Sequence, residues 1–354
     1  MIAALDATPL TVSTGGVRRY TFELARALAA NYREDEYWLL SDQPFDISST
    51  GPAAENLHKG DGPRTAAERR WWLWGLEREM MRRRVEVFHG TDFSVPYLSR
   101  RPSVMTLHDL SPWLPGQKNV NWQPHSFRVR SRVPVLLRAR IPTMLITPSE
   151  AVRRAAIGRF KLDGSRVVAV PLAASSHFHP VERAPAARPY FLFVGTLEPR
   201  KNISRLIEAW REVRKSQDVD LVLAGRVRKD FIAPAAEPGL WVRGAVPEED
   251  LPALYAGAVA VVYPSLYEGF GLPVLEAMQC GATVITSRDP AIMEVSDGAA
   301  VHVDAMDVGA LAEAMRARPT RREESLKRAA LFSWSKTARK TREVYDDARR
   351  LFGK

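Results

Sequence analysis

What most narrows the fold is a rhythm in the chain. Apolar runs of strand length alternate with longer stretches of helical period, and the whole pattern occurs twice. Residues 2–5, 37–40, 85–89, 103–107 and 144–147 read as buried strands. Between the first two lies a loop with Gly15-Gly16, then a helix marked by Val17, Tyr20, Leu24 and Leu28. Strand alternating with helix in this way predicts parallel sheets of the α/β class. The stretch 171–189, with four prolines and no period, interrupts the rhythm. Further strands follow at 190–194, 221–224, 240–242, 259–263 and 283–286, with an amphipathic helix at 203–215 among the connections. The predicted organisation is a first α/β domain over 1–172, a linker over 173–189 and a second α/β domain over 190–335. A closing charged helix over 336–354 carries Val344, Ala348 and Leu351 as its apolar stripe.

At 354 residues the chain has room for two cores. One cysteine, Cys280, excludes a disulfide framework and a cysteine-rich zinc site. The opening apolar stretch is too short for a signal core, and no window has the roughly 20 apolar residues of a spanning helix. A cytoplasmic protein is therefore expected. The net charge of +10 is uneven: residues 1–172 carry 25 Lys and Arg against 17 Asp and Glu, whereas the remainder is nearly balanced. That asymmetry points to an anionic partner for the first domain. Residues 68–84 join three tryptophans to six arginines. Two readings stay open: a segment peripheral at the inner face of an anionic membrane, or a helix whose tryptophans fill the core. Arg128, Arg130, Arg132, Arg138 and Arg140 are expected nearby. No recognition module accompanies the charge, so nucleic acid is not an expected partner.

The chemistry concentrates in YPSLYEGFGLPVLEAMQCGATVIT, residues 263–286. A strand runs into a loop with Glu268-Gly269-Phe270-Gly271, and a helix opens near Pro273, a residue favoured in the first helical turn. Glycines let backbone amides approach a ligand, and the helix end attracts a phosphate. Glu268 and Glu276 are eight residues apart, both able to face the crevice at the carboxyl edge of the sheet. Carboxylates there suit hydroxyl-rich ligands. A pair of glutamates at this spacing is weak by itself; embedded in this strand–loop–helix context it describes a nucleotide-sugar site.

This segment resembles the C-terminal signature of glycosyltransferase family 4. Four further motifs agree in order: GGVRRY at 15–20, THDL at 106–109, GTLEPRKN at 195–202 and FSWSKTARKTREVY at 332–345. The resemblance implies the GT-B fold, two Rossmann-like domains facing a central cleft, with the last helix crossing back to the first domain. It implies that Glu276 holds the ribose hydroxyls and Glu268 a donor-sugar hydroxyl, with backbone amides of Phe270, Gly271 and Leu272 assisting. Replacing Glu268 is then expected to spare binding of the free nucleoside diphosphate. Lys201 and Arg200 would neutralise the diphosphate, stabilising charge that grows as the sugar–phosphate bond breaks. Gly15 and Gly16 would bring amides to the same diphosphate, and His108 would meet the donor sugar. The segment 243–251, with Val246 and Leu251, would contact the base.

Where relatives in the family often have an arginine, Thr196 follows Gly195, which leaves the second phosphate contact open between Arg200 and another basic residue. The resemblance also implies a retaining enzyme that works by front-face substitution and needs no cofactor, its donor being a nucleotide sugar. HDLSPW resembles mannosyltransferases of bacterial surface-polysaccharide assembly, so GDP-mannose is the preferred donor and a lipid-linked or saccharide molecule the acceptor. A nucleotide-sugar epimerase and a non-catalytic sugar-nucleotide binder are the competing readings. Asp218-Val219-Asp220 has the form of a metal motif but precedes its strand, at the edge opposite the ligand crevice, and reads as a turn. His177 and His179 lack companions. No metal site is expected.

Overall fold

The computed structural model describes residues 1–12, 15–46, 54–114, 124–182, 188–229 and 231–353. It divides into two compact units, Met1–Leu172 with Ser333–Lys354, and Ala173–Phe332. Each is a parallel sheet dressed with helices.

In chain order, the first unit has β1 (Ile2–Asp6), α1 (Gly16–Asn31), β2 (Glu36–Leu40), β3 (Leu57–Lys59), α2 (Leu76–Arg82), β4 (Val87–Gly90), β5 (Ser103–Thr106), α3 (Pro124–Arg138), β6 (Met144–Thr147), α4 (Glu150–Phe160) and β7 (Val167–Ala169). The strands lie in the order β3-β2-β1-β4-β5-β6-β7, and every pairing is parallel. Buried on both faces, the central strands are nearly continuous apolar runs, which explains why they were legible as strands. Strands β3 and β7 were not predicted. Each has three residues, too few for a pattern, and each exists because a longer neighbour offers an unpaired edge.

The second unit has β8 (Tyr190–Val194), α5 (Ile203–Arg214), β9 (Asp220–Ala224), β10 (Leu240–Gly244), α6 (Leu251–Gly257), β11 (Ala260–Tyr263), α7 (Leu272–Gln279), β12 (Val284–Ser287), α8 (Pro290–Ser296), β13 (Val301–Val303), α9 (Val308–Arg316) and α10 (Arg322–Ala329). Its order, β10-β9-β8-β11-β12-β13, is again wholly parallel. Residues 173–182 of the proline-containing stretch belong to this unit. Phe178 is fully buried with its ring edge-on to Tyr255, 6.0 Å between centroids. The Gln279 side chain donates to the carbonyls of Ser175 and Phe178. Residues 183–187 lie outside the described residues.

The last helix, α11 (Trp334–Leu351), packs on the first unit. Trp334, Thr337, Ala338, Thr341, Val344, Tyr345 and Ala348 form its buried stripe. Leu351, expected in that stripe, is exposed at the last position of the helix. A buried polar chain anchors the helix. His89 Nδ1 meets the Tyr345 hydroxyl at 2.8 Å, His89 Nε2 the Thr106 hydroxyl at 2.7 Å, and Thr106 the Tyr20 hydroxyl at 2.9 Å. One chain of hydrogen bonds therefore ties α11 to β4, β5 and α1. Arg342 adds an ion pair to Asp35 at 2.6 Å, and Asp35 also takes the amino group of Met1.

Burial pushes the His89 imidazole down to about 3, so it is neutral in the folded protein. A histidine whose folded pKa is depressed contributes stability that is lost as pH falls, because below about 6.5 the unfolded chain takes a proton that the folded chain refuses. Between pH 7 and pH 4.5 this contribution should shrink by about 2–3 kcal/mol. Urea unfolding should show the gap between the parent and His89→Gln closing over that range; a gap independent of pH would mean that His89 takes up its proton in the fold as readily as in the unfolded chain.

Candidate active site

A parallel sheet whose strand order reverses leaves a crevice at the carboxyl ends of the two strands that flank the reversal. In the second unit those strands are β8 and β11. The loop leaving β8 holds Gly195, Thr196 and Glu198, then a 3-10 turn, Pro199–Lys201, and Asn202, whose left-handed conformation starts α5. The loop leaving β11 holds Ser265 through Gly271 and leads into α7. The backbones of the two loops are laced together. The Leu266 amide donates to the Arg200 carbonyl at 2.9 Å, and the Arg200 guanidinium returns a bond to the Tyr267 carbonyl at 2.5 Å. A third loop, leaving β9, is zipped to the first. The Leu197 amide donates to the Arg226 carbonyl, and the Arg228 amide to that of Leu197. Gly225 must be glycine here, since a Cβ would stand 1.8 Å from the Gly195 carbonyl oxygen.

These loops bring five charges together. The buried Lys201 ammonium donates to Glu268 Oε1 at 2.5 Å and to the Tyr263 hydroxyl at 2.6 Å. Arg200 reaches Glu268 Oε2 at 3.1 Å and Glu198 Oε1 at 2.7 Å. Arg228 pairs with the other oxygen of Glu198. Ser265 donates its hydroxyl to Glu268 Oε1 at 2.5 Å. Burial alone would raise the Glu268 carboxyl, but Lys201 and Arg200 outweigh it and hold it down to about 2. For Lys201 burial wins, and its pKa falls below that of an ordinary lysine despite Glu268. Three cations against two carboxylates leave the cluster suited to a polyanion.

Asp289 supports this arrangement from behind. Its Oδ1 accepts the amides of Ala291 and Ile292, capping α8, while Oδ2 accepts the Glu268 amide at 3.3 Å. Burial pushes its carboxyl up to about 6. Gly271 has φ +96°, a left-handed turn open to glycine that lets α7 begin at once at Leu272 with Pro273 in its first turn. The Phe270 ring is buried edge-on to Phe332, so its backbone rather than its side chain lines the loop. Glu276, one turn into α7, is buried and accepts the Tyr255 hydroxyl at 3.2 Å. Glu268 and Glu276 thus sit in different surroundings: the first among cations, the second against α6. Thr196 is half-buried beside Gly195, Val246 lies half-buried in the loop after β10, and Leu251 is the buried first residue of α6.

In the first unit the order reverses between β1 and β4. Gly15, with φ +137°, precedes α1, and Gly16 is its first residue. His108 follows β5 and is half-buried. Its Nε2–H donates to the Thr91 carbonyl at 2.7 Å, and its ring stands edge-on to Tyr20, 4.9 Å between centroids.

Elsewhere, Asp220 accepts the Trp241 indole N–H at the amino end of β9, and Asp218 pairs with Arg188. His177 bonds the Glu248 carbonyl and His179 that of His177. The Trp/Arg segment is partly packed into the core. Trp71 is buried, and Trp72 lies under the Arg132 guanidinium at 5.4 Å. Of the apolar residues in the segment, Leu73, Trp74 and Met81 are turned outward, with Trp74 51% exposed. Arg82 and Arg83 are committed to Glu68, Glu79 and Asp61. The buried carboxylates of Glu68 and Glu79 capture the two arginines within reach. The exposed face carries Arg70, Leu73, Trp74 and Met81, with Arg78 also exposed but 3.8 Å from Glu68.

Sequence reasoning missed Glu198, Arg228, Tyr263, Ser265 and Asp289 as members of the cluster. Only Gly225 signalled that the loop after β9 would close on the loop after β8.

Comparison with known proteins agrees with this geometry. Residues 14–174 match the family model described as Glycosyltransferase Family 4, and residues 176–328 that described as Glycosyl transferases group 1. The chain is 31% identical to O-antigen chain mannosyltransferase B of Escherichia coli, over 95% of this chain and 97% of that protein. It is 30% identical to the MMP alpha-(1->4)-mannosyltransferase of Mycolicibacterium hassiacum, over 58% of this chain and 54% of that one. In fold it is similar to the sucrose-phosphate synthase of Thermosynechococcus elongatus, with TM-score 0.73, 20% identity and 98% of each chain covered. Two reversed parallel sheets, the five motifs in order and a relative matched almost end to end lead to one conclusion: the chain belongs to glycosyltransferase family 4, has the GT-B fold and is a glycosyltransferase.

Proposed function

We propose that the protein transfers a mannosyl group from GDP-mannose to a lipid-linked or saccharide acceptor in polysaccharide or glycolipid synthesis, with retention of configuration and without a metal ion. The observation that carries the reading is the cluster of Lys201, Arg200, Arg228, Glu198 and Glu268 at the β8/β11 reversal. A diphosphate is the ligand that three convergent cations and the start of α7 suit. The match to an O-antigen mannosyltransferase supports mannose as the sugar.

In this mechanism Glu276 holds the ribose, and Lys201 and Arg200 hold the diphosphate. The bond from the sugar anomeric carbon to the phosphate oxygen breaks, and its electron pair stays on that oxygen. The acceptor hydroxyl attacks from the same face, forming the new glycosidic bond, and its proton passes to the departing phosphate oxygen. Charge grows on phosphate as the bond breaks, so the cations stabilise the transition state more than the ground state. Arg228, drawn in by Glu198, fills the open place of a second phosphate contact left by Thr196. The sugar hydroxyls fall to Glu268, whose carboxyl Lys201 and Arg200 hold down to about 2, and so ionised, before the donor arrives.

Among the described residues no helix is long and apolar enough to cross a membrane. For a lipid-linked acceptor we assign the exposed face of Arg70, Leu73, Trp74, Arg78 and Met81 to an anionic bilayer surface. Tryptophan suits the headgroup level there, and arginine meets phosphate.

Transfer of labelled mannose from GDP-mannose to membrane lipid tests the reading, with UDP-sugars as competitors; UDP-sugar transfer in its place would reassign the donor. Turnover should survive EDTA; loss in chelator with recovery on adding manganese or magnesium would refute metal independence. Glu276→Ala should weaken nucleoside diphosphate binding by about one to two decades, the loss of a charge-assisted hydrogen bond. Unchanged calorimetric affinity would remove the ribose assignment. The double variant Arg70→Gln, Trp74→Ala should sediment less with anionic vesicles and melt like the parent, whereas Arg82→Gln should lower the melting temperature by breaking its pairs with Glu68 and Glu79. Equal sedimentation of the double variant and the parent would eliminate the membrane surface.

A further inference from the structure

The cations that suit a diphosphate are already occupied. Lys201 and Arg200 both hold Glu268, through its two different oxygens. All three side chains are largely buried, so these attractions act at a lower effective dielectric than in water. Ser265 donates to the Glu268 oxygen that Lys201 also holds, and Asp289 accepts the backbone amide of Glu268 itself, so the residue is anchored at both its carboxylate and its backbone. A ligand that takes Lys201 and Arg200 must leave Glu268 with a replacement set of donors or leave a buried charge unpaired, which is strongly unfavourable.

We propose that Glu268 is an internal counter-anion that lets the site distinguish a complete nucleotide sugar from the spent nucleoside diphosphate. The inference rests on the donor-site reading above. A nucleotide sugar brings both halves of the exchange: its phosphates take the two cations, and its sugar hydroxyls donate to Glu268. The nucleoside diphosphate brings only the first half. It takes cations from Glu268 and returns no donor, so it binds at a disadvantage. Once the sugar has moved to the acceptor, Glu268 loses its hydroxyl partners and reclaims Lys201 and Arg200. Release of product is therefore driven by the same residue that holds the donor sugar. The Glu198 carboxylate, shared between Arg200 and Arg228, keeps those guanidiniums in place during the exchange and has no sugar to hold.

The consequence runs opposite to that of removing an ordinary binding residue. Glu268→Gln should bind nucleoside diphosphate more tightly than the parent, by about one decade or more, instead of leaving that affinity untouched. The nucleotide sugar should gain nothing or lose affinity, so the preference for donor over product collapses. Calorimetry with GDP and with GDP-mannose, and with UDP and UDP-glucose in parallel, measures both. It should be run in a mildly acidic buffer, where the buried Lys201 keeps its proton once its partner is neutral. Glu268→Asp, which keeps the charge but withdraws it, should fall between the two and serves if the glutamine variant does not fold. If the parent binds neither nucleoside diphosphate, the donor-site reading fails and this proposal with it. If the parent binds one but both variants bind it no more tightly, the counter-anion proposal alone is overturned. A purely structural ion pair predicts that second result together with a lower melting temperature.

Discussion

Both units depend on one constraint of parallel sheets. Each crossover must pass over one face of the sheet with a fixed hand, so where the strand order reverses, the two connections leave on opposite faces and the strand ends between them stay uncovered. The reversal lies between β1 and β4 in the first unit and between β8 and β11 in the second. The groups assigned to donor phosphate and sugar stand at the second reversal. Gly15 and Gly16 stand at the first, and His108 one strand further along.

At the second reversal the loops leave their strands too close together to behave independently. Gly225 against Gly195, and the amide ladder between residues 195–198 and 226–228, make one surface of two connections. That surface gathers three cations whose mutual repulsion would be costly if nothing opposed it. Glu198 and Glu268 each bridge two cations, the first joining Arg228 to Arg200 and the second Arg200 to Lys201. Buried ion pairs are weak evidence for stability, because desolvation can cancel the attraction. Their value here is that they hold charge in readiness at a fixed place. Asp289 extends the same logic: it caps a helix and steadies the Glu268 loop with a single carboxylate.

The first unit is completed by a segment from the far end of the chain. The helix α11 buries an aromatic and small-residue stripe and reaches His89 through Tyr345. The neutral imidazole offers one nitrogen to each neighbour. The chain Tyr345–His89–Thr106–Tyr20 therefore gives each buried member a partner, the condition under which a buried polar network stabilises instead of destabilising.

Much of this was legible in the chain by itself. Continuous apolar runs such as 190–194 and 259–263 are of strand length and alternate with stretches of helical period, so the α/β class followed from the sequence pattern. EGFGLPVLEAM carries its own local geometry: a glycine for the left-handed turn, a proline for the first turn of the helix, and a glutamate one turn in. Such features depend on neighbours in sequence, and sequence determines them. What only the tertiary structure decided depends on residues far apart. That Glu268 holds Lys201 and Arg200, that Arg228 joins them through Glu198, and that Glu79 and Glu68 capture Arg82 are pairings across many positions, and charge composition gives no hint of which pairs form. The three-residue strands β3, β7 and β13 belong to the same class, since an unpaired edge rather than their own residues makes them strands. Local backbone preference is written residue by residue; the choice among many possible partners is made by the fold, which alone sets which charges share a buried space.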